Sequence, residues 1–205
     1  MTRNRVAVLG LGLVIIAAPA GAAGIDGTGT VGTCPTAGKI GIKPPLVFAG
    51  TSPDTLKIGT KTPKLATCSG GTGDGAHVLS AKGKGGGPGM NNDCLGLQGT
   101  MSNTLTLTVK WKTDGAVKLN ASTITITSET GGTSTTPPNH GQFDVTGTVT
   151  AGSFAGDNVT AHIVTDQDLN EILGACGAKG LKKITFGSKP SKDDLQMGSG
   201  SVTIN

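Results

Sequence analysis

Four cysteines, three histidines and thirteen carboxylates are the side chains of this chain that could carry chemistry. Cys34, Cys68, Cys94 and Cys176 stand far apart, so the close C-x-x-C or Cys/His pairs that a zinc site needs are missing. Four such thiols in an oxidising compartment read as two disulfides, for which three connectivities exist. His77 follows Gly73-Asp74-Gly75-Ala76 and His140 follows Pro137-Pro138-Asn139, both loop-like settings, while His162 lies between Ala161 and Ile163 on the face opposite theirs, toward solvent or a sheet edge. No G-x-S-x-G elbow, H-E-x-x-H helix or S-x-x-K motif is present. A triad assembled from separate loops is spatial rather than sequential, so a hydrolase with a loop-built site stands as a third reading behind two non-catalytic ones.

Metal and cofactor chemistry find little support. Asp166 with Asp168 is a helix start, Asp193 with Asp194 is a solvated turn beside Lys189 and Lys192, and neither belongs to a complete calcium loop. His77, Met90 and Met101 are not held at copper-ligand spacing, and the Gly83 to Gly89 run lacks the G-K-[ST] ending of a phosphate loop. The expectation is no catalytic residue, no cofactor and no metal ligand.

Export is the reason to expect oxidised cysteines. Arg3 and Arg5, the apolar run Val6 to Ala18 and the small residues around Ala20-Gly21-Ala22 have the form of a secretory signal peptide over residues 1–23. The run is shorter than the roughly 20 residues of a membrane span. A secreted, extracellular protein is expected, with one domain over 24–205 and no integral membrane segment after cleavage. Arg3 and Arg5 are the only arginines; the remainder carries 15 Lys against 13 acids. Without arginine forks or aromatic stacking surface, no nucleic-acid partner is expected. Lys57, Lys61 and Lys64, and Lys179, Lys182 and Lys183, read as solvated faces.

The positioning elements are strands. Gly (35) and Thr (30) dominate, a turn-rich and strand-leaning composition. Leu105, Leu107, Val109 and Trp111 alternate with Thr104, Thr106, Thr108 and Lys110, and Ile124 and Ile126 alternate with Thr123, Thr125 and Thr127 across the Thr113-Asp114-Gly115 turn. Trp111 is therefore a core residue rather than a sugar platform. Phe48, Phe143 and Phe186 are in phase with strand cores, and only Phe154, in a Gly-flanked turn, is a candidate for exposure. Further strands are expected near Thr28 to Thr33, His77 to Lys82, Phe143 to Val149, Val159 to Ile163, Ile184 to Phe186 and Val202 to Ile204. The Gly-rich segment Lys82 to Asn92 reads as a mobile loop.

Register suggests the disulfide pairing. Ile40, Ile42, Leu46 and Phe48 share one face of the first strand and Leu56 and Ile58 one face of the second, Cys34 and Cys68 fall on the same even-numbered apolar side, and Ala49 to Pro53 turns between the strands. A hairpin centred on Thr51 brings Cys34 opposite Cys68, leaving Cys94 with Cys176. Leu169, Ile172, Leu173 and Cys176 follow helical spacing after Asp166 and Asp168, with Gly177 at the C-terminal cap, so one short helix is expected near 167–176. The resulting fold class is all-β: an antiparallel two-sheet β-sandwich of about ten strands, or a barrel-like variant, with one helix and two disulfides.

Lys43-Pro44-Pro45-Leu46, Asn92-Asp93-Cys94, Leu105 to Lys112 with Leu119 to Thr125, Gly152 to Gly156 and Lys179 to Thr185 together resemble a group of small secreted β-rich proteins of unknown function from high-GC Gram-positive bacteria. The resemblance implies secretion and a β-rich fold, and carries no activity or catalytic residue. Two functions are expected ahead of an enzyme. The first is a non-catalytic module that binds a protein or cell-surface partner. The second is a carrier or binder of a small apolar or lipid ligand, because many small residues leave room inside.

Overall fold

The computed structural model describes residues 24–63, 66–98, 100–101, 104–187 and 199–205. The expected signal peptide, Lys64, and the Asp193-Asp194 turn lie outside the described residues. Eleven strands form in chain order: β1 (Gly32–Pro35), β2 (Ala37–Leu46), β3 (Pro53–Lys61), β4 (Val78–Asn91), β5 (Thr100–Met101), β6 (Leu105–Thr113), β7 (Ser122–Thr135), β8 (Pro138–Ala151), β9 (Asn158–Asp168), β10 (Leu181–Phe186) and β11 (Gly200–Ile204). One helix, α1 (Leu169–Ala178), joins β9 to β10.

The all-β antiparallel class, the single helix and both disulfides are as expected. The strands, however, are hydrogen-bonded into one continuous sheet, in the order β1-β11-β9-β8-β7-β6-β4-β3-β2-β10 with β5 beside β7. No division into two sheets is seen among the described residues. Thr36 alone separates β1 from β2, so the chain itself links the strand at one end of this path to the last strand but one at the other. The ladder is open at β1 and β10. β10 is tied instead to β9 by the Gln167 side chain, which donates to Thr185 Oγ1 at 3.0 Å and accepts from Thr185 N at 3.0 Å. The up-and-down order from β2 to β9 lets such a sheet roll around one apolar interior.

Several expectations need correction. Lys82 to Asn92 is not a loop but most of β4, paired with β3 on one side and β6 on the other. Its glycines permit close backbone approach: a Cβ on Gly85 would stand 1.9 Å from the Thr106 carbonyl oxygen and 2.7 Å from Leu107 Cα. Gly85→Ala should therefore cost about 2 kcal/mol by overpacking, read as a lower denaturation midpoint with an unchanged slope. A wild-type midpoint would show that β6 yields freely there.

The first hairpin has a different register. Ile40 lies opposite Ile58, where a turn centred on Thr51 would have placed Thr62. The pairing Cys34–Cys68 is nevertheless correct, as is Cys94–Cys176. Its geometry comes from elsewhere: Thr33 and Ser69 exchange backbone hydrogen bonds, so Cys68 arrives on a segment beyond β3. Phe48 is outside β2 and 49% exposed. Phe154 is 2% exposed, because its turn folds under the sheet and its ring meets Trp111 edge-on with centroids 5.5 Å apart. The expected strand near Thr28 begins only at Gly32. Asp168 caps α1 in a reciprocal box with Glu171, as its position suggests, but Gly177 is helical and Gly180 takes the left-handed φ of 78° after the helix.

Candidate functional site

Inward alternation along the strands leaves the interior incompletely filled. Residues from ten strands line an inner chamber of about 100 Å³, among them Cys34, Ile58, Gly83, Trp111, Val145 and Phe186. An outer chamber of about 250 Å³ adjoins it, sharing Ile40, Ile58, Glu129 and Phe143 as walls. Ala81 and Gly83 of β4 line the inner chamber, where this strand contributes almost no side-chain volume and its neighbours contribute Ile and Leu. A closed apolar cavity of about 150 Å³ is already large enough to take up a benzene-sized guest.

The two ends differ. The inner end is plugged by Trp111 packed on Phe154; Trp111 Nε1 donates to Ser122 Oγ at 2.8 Å, and that hydroxyl donates to the Ser153 carbonyl. The outer chamber reaches the surface at Asn91 and Gly96, which are exposed and line it. Val47, Phe48 and Leu95 are exposed on the two backbone segments joined there by Val47 N to Asn92 O and Cys94 N to Val47 O. Cys94–Cys176 fastens this rim to α1.

Three carboxyls line the largely apolar outer chamber: Asp93, whose Oδ1 accepts from Ala49 N and Leu95 N, together with Glu129 and Asp54. Glu129 lines both chambers, and burial pushes its carboxyl up to about 7. Asp54 is 6% exposed, its Oδ1 has no hydrogen-bond partner, and burial raises its pKa too. Among the described residues, no lysine, arginine or histidine lines either chamber. Such carboxyls can accept from, or ion-pair with, the polar end of a guest whose remainder is hydrocarbon.

Strand alternation conceals Glu129. In unbroken alternation Ser128 shares a face with Ile124 and Ile126. Ile126 lies opposite Gly147 and Ser128 opposite Thr146, so Thr127 is an extra residue, and beyond this bulge Glu129 faces inward opposite Val145. Asp54 was open to detection: it stands in phase with Leu56 and Ile58, an acid on an apolar face.

The histidines do not converge on this site. His77 Nδ1 lies 3.0 Å from Asp114 Oδ2 and His162 Nδ1 2.6 Å from Asp144 Oδ1, both exposed, and each histidine holds its partner's carboxyl below the usual range. His140 is in β8 rather than a loop and is fully buried, with Nδ1 2.6 Å from the Thr165 carbonyl. Among the described residues, no three His, Cys, Asp or Glu side chains gather as a metal-ligand set, and no helix is long and apolar enough to cross a membrane.

The outer face of the sheet is chemically divided. Lys39 and Lys43 of β2, Lys57 and Lys61 of β3, Lys82 and Lys84 of β4, and Lys110 and Lys112 of β6 are all exposed. They alternate with the chamber-lining residues, so all eight point outward. The only acid in these four strands, Asp54, points inward. No protein-family model, curated protein or solved structure matches the chain.

Proposed function

We propose that the protein is a secreted binder of a small, largely apolar molecule, held inside the rolled sheet with a hydrogen-donating or cationic end at Glu129 and Asp54. The observation that carries this reading is the pair of joined apolar chambers, open at one end and lined by two desolvated carboxyls, Glu129 where the chambers meet and Asp54 in the outer one with an unpartnered oxygen. Secretion is supported by the two disulfides, which persist in oxidising compartments. Of the two non-catalytic functions the sequence suggests, the ligand binder has the more specific support, because an interaction module requires no interior space.

Trp111 provides the test. It is the only tryptophan, there is no tyrosine, and it lines the inner chamber, so its emission reports what enters. Titration with decylamine should shift that emission and saturate, native mass spectrometry should show one bound amine, and decanoate should bind more weakly. Val145→Phe, which fills the chamber, should abolish the shift. No saturable shift with decylamine, or an undiminished one in Val145→Phe, would overturn the reading.

A further inference from the structure

The outer face of β2, β3, β4 and β6 carries eight lysines, more than half of the 15 outside the expected signal peptide. Lys61 lies directly opposite Lys82, and Lys82 directly opposite Lys110, a row of three ammonium groups on adjacent strands. Neighbouring strands are about 4.8 Å apart, and like charges placed opposite one another destabilise a sheet. None of the eight pairs with a carboxylate among the described residues. On the same face a depression of about 300 Å³ is lined by Lys82, Lys84, Thr108 and Lys110.

We propose that this lysine face is a docking surface for a linear acidic polysaccharide, whose carboxylates pair with the row Lys61, Lys82 and Lys110 while its hydroxyls meet Thr106 and Thr108. Charge complementarity is the first argument: anions between the lysines remove the repulsion that the bare face bears. The second is what the face lacks. It presents no aromatic ring for a base to stack on and no arginine fork for phosphate, which disfavours nucleic acid. Around the lysine row the neighbouring outward positions are Thr106, Thr108 and Gly59 rather than large apolar side chains, which disfavours insertion into a bilayer. Lysine on a flexible stem acts as a point charge, suited to a hydrated chain with charges at intervals. This site is separate from the interior chambers and does not depend on their occupancy.

The test uses sodium polygalacturonate with neutral dextran as its control, measured by calorimetry over a range of salt concentrations. Wild-type protein should bind polygalacturonate and not dextran, with affinity falling steeply as salt rises. Lys82→Gln with Lys84→Gln and Lys110→Gln should weaken binding roughly ten- to 100-fold. A second triple, Lys118→Gln with Lys179→Gln and Lys182→Gln, removes the same charge elsewhere and should retain wild-type affinity. Equal losses in both triples would reduce the effect to net charge and overturn the proposal. So would no binding by the wild type, or tighter binding to phosphatidylglycerol vesicles or to polyuridylate.

Discussion

Glu129→Gln is expected to stabilise the protein by up to about 3 kcal/mol at pH 8 and to change little at pH 4. The folded state holds the Glu129 proton up to about pH 7, whereas the unfolded chain releases it near the ordinary 4.5. Between those values unfolding releases a proton, so stability falls as pH rises through the window and stays low above it. Each pH unit of separation is worth about 1.4 kcal/mol. The amide has the same shape and no charge to desolvate, so the variant loses this slope. Burial raises Asp54 and Asp157 as well, adding slopes of the same sign above their ordinary range. Asp144, Asp114 and Asp74, held low by His162, His77 and Thr28, contribute in the opposite direction, losing stability as pH falls through the acid range. Denaturant unfolding of both proteins from pH 4 to 8 measures the difference. Parallel curves would mean that Glu129 is as well solvated when folded as when unfolded. The same variant should bind decylamine less tightly at pH 8, since it removes the anionic partner of the amine.

Removing the Cys94–Cys176 bridge should have the larger effect. It links residues 82 apart, and chain entropy assigns such a loop about 4.5 kcal/mol, against about 4 kcal/mol for the 34-residue separation of Cys34–Cys68. Paired serine variants, Cys94→Ser with Cys176→Ser and Cys34→Ser with Cys68→Ser, avoid leaving a lone thiol. The functional consequences should differ more than the stabilities do. Cys94 adjoins the rim of the outer chamber and Cys176 is on the buried face of α1, so loss of this bridge frees the wall through which a guest enters. Cys34 lines the inner chamber but is also held by the pairing of β1 with β11. Ligand affinity should therefore fall further without Cys94–Cys176, even under conditions where both variants are folded. Equal affinity in the two variants would exclude a role for the bridged rim.

What could be read from the chain and what could not divide along physical lines. Strand identity was legible wherever alternation is strict, as from Leu105 to Trp111, because a half-buried strand requires a period of two. The helix start at Asp168 was legible because capping is local chemistry. The disulfide partners do not follow from the hairpin register: β2 pairs four positions away from the expected sum, and Cys68 is brought to Cys34 by the bridge of its neighbour Ser69 to Thr33. The glycines of β4 give no strand signal because composition reports freedom of the isolated chain, while their use here is close approach of β3 and β6, which only those partners reveal.

The sequence by itself determined a strand-rich chain with one capped helix, cysteines set for two bridges, and a core drawn from alternating aliphatic residues. These follow from local spacing and from the chemistry of single side chains. Only the tertiary structure decided that the strands form one rolled sheet, that a bulge at Thr127 turns Glu129 inward beside Asp54, and that lysines far apart in the chain form one face. Each of these depends on which strand lies beside which, and that is settled by long-range pairing across the whole sheet.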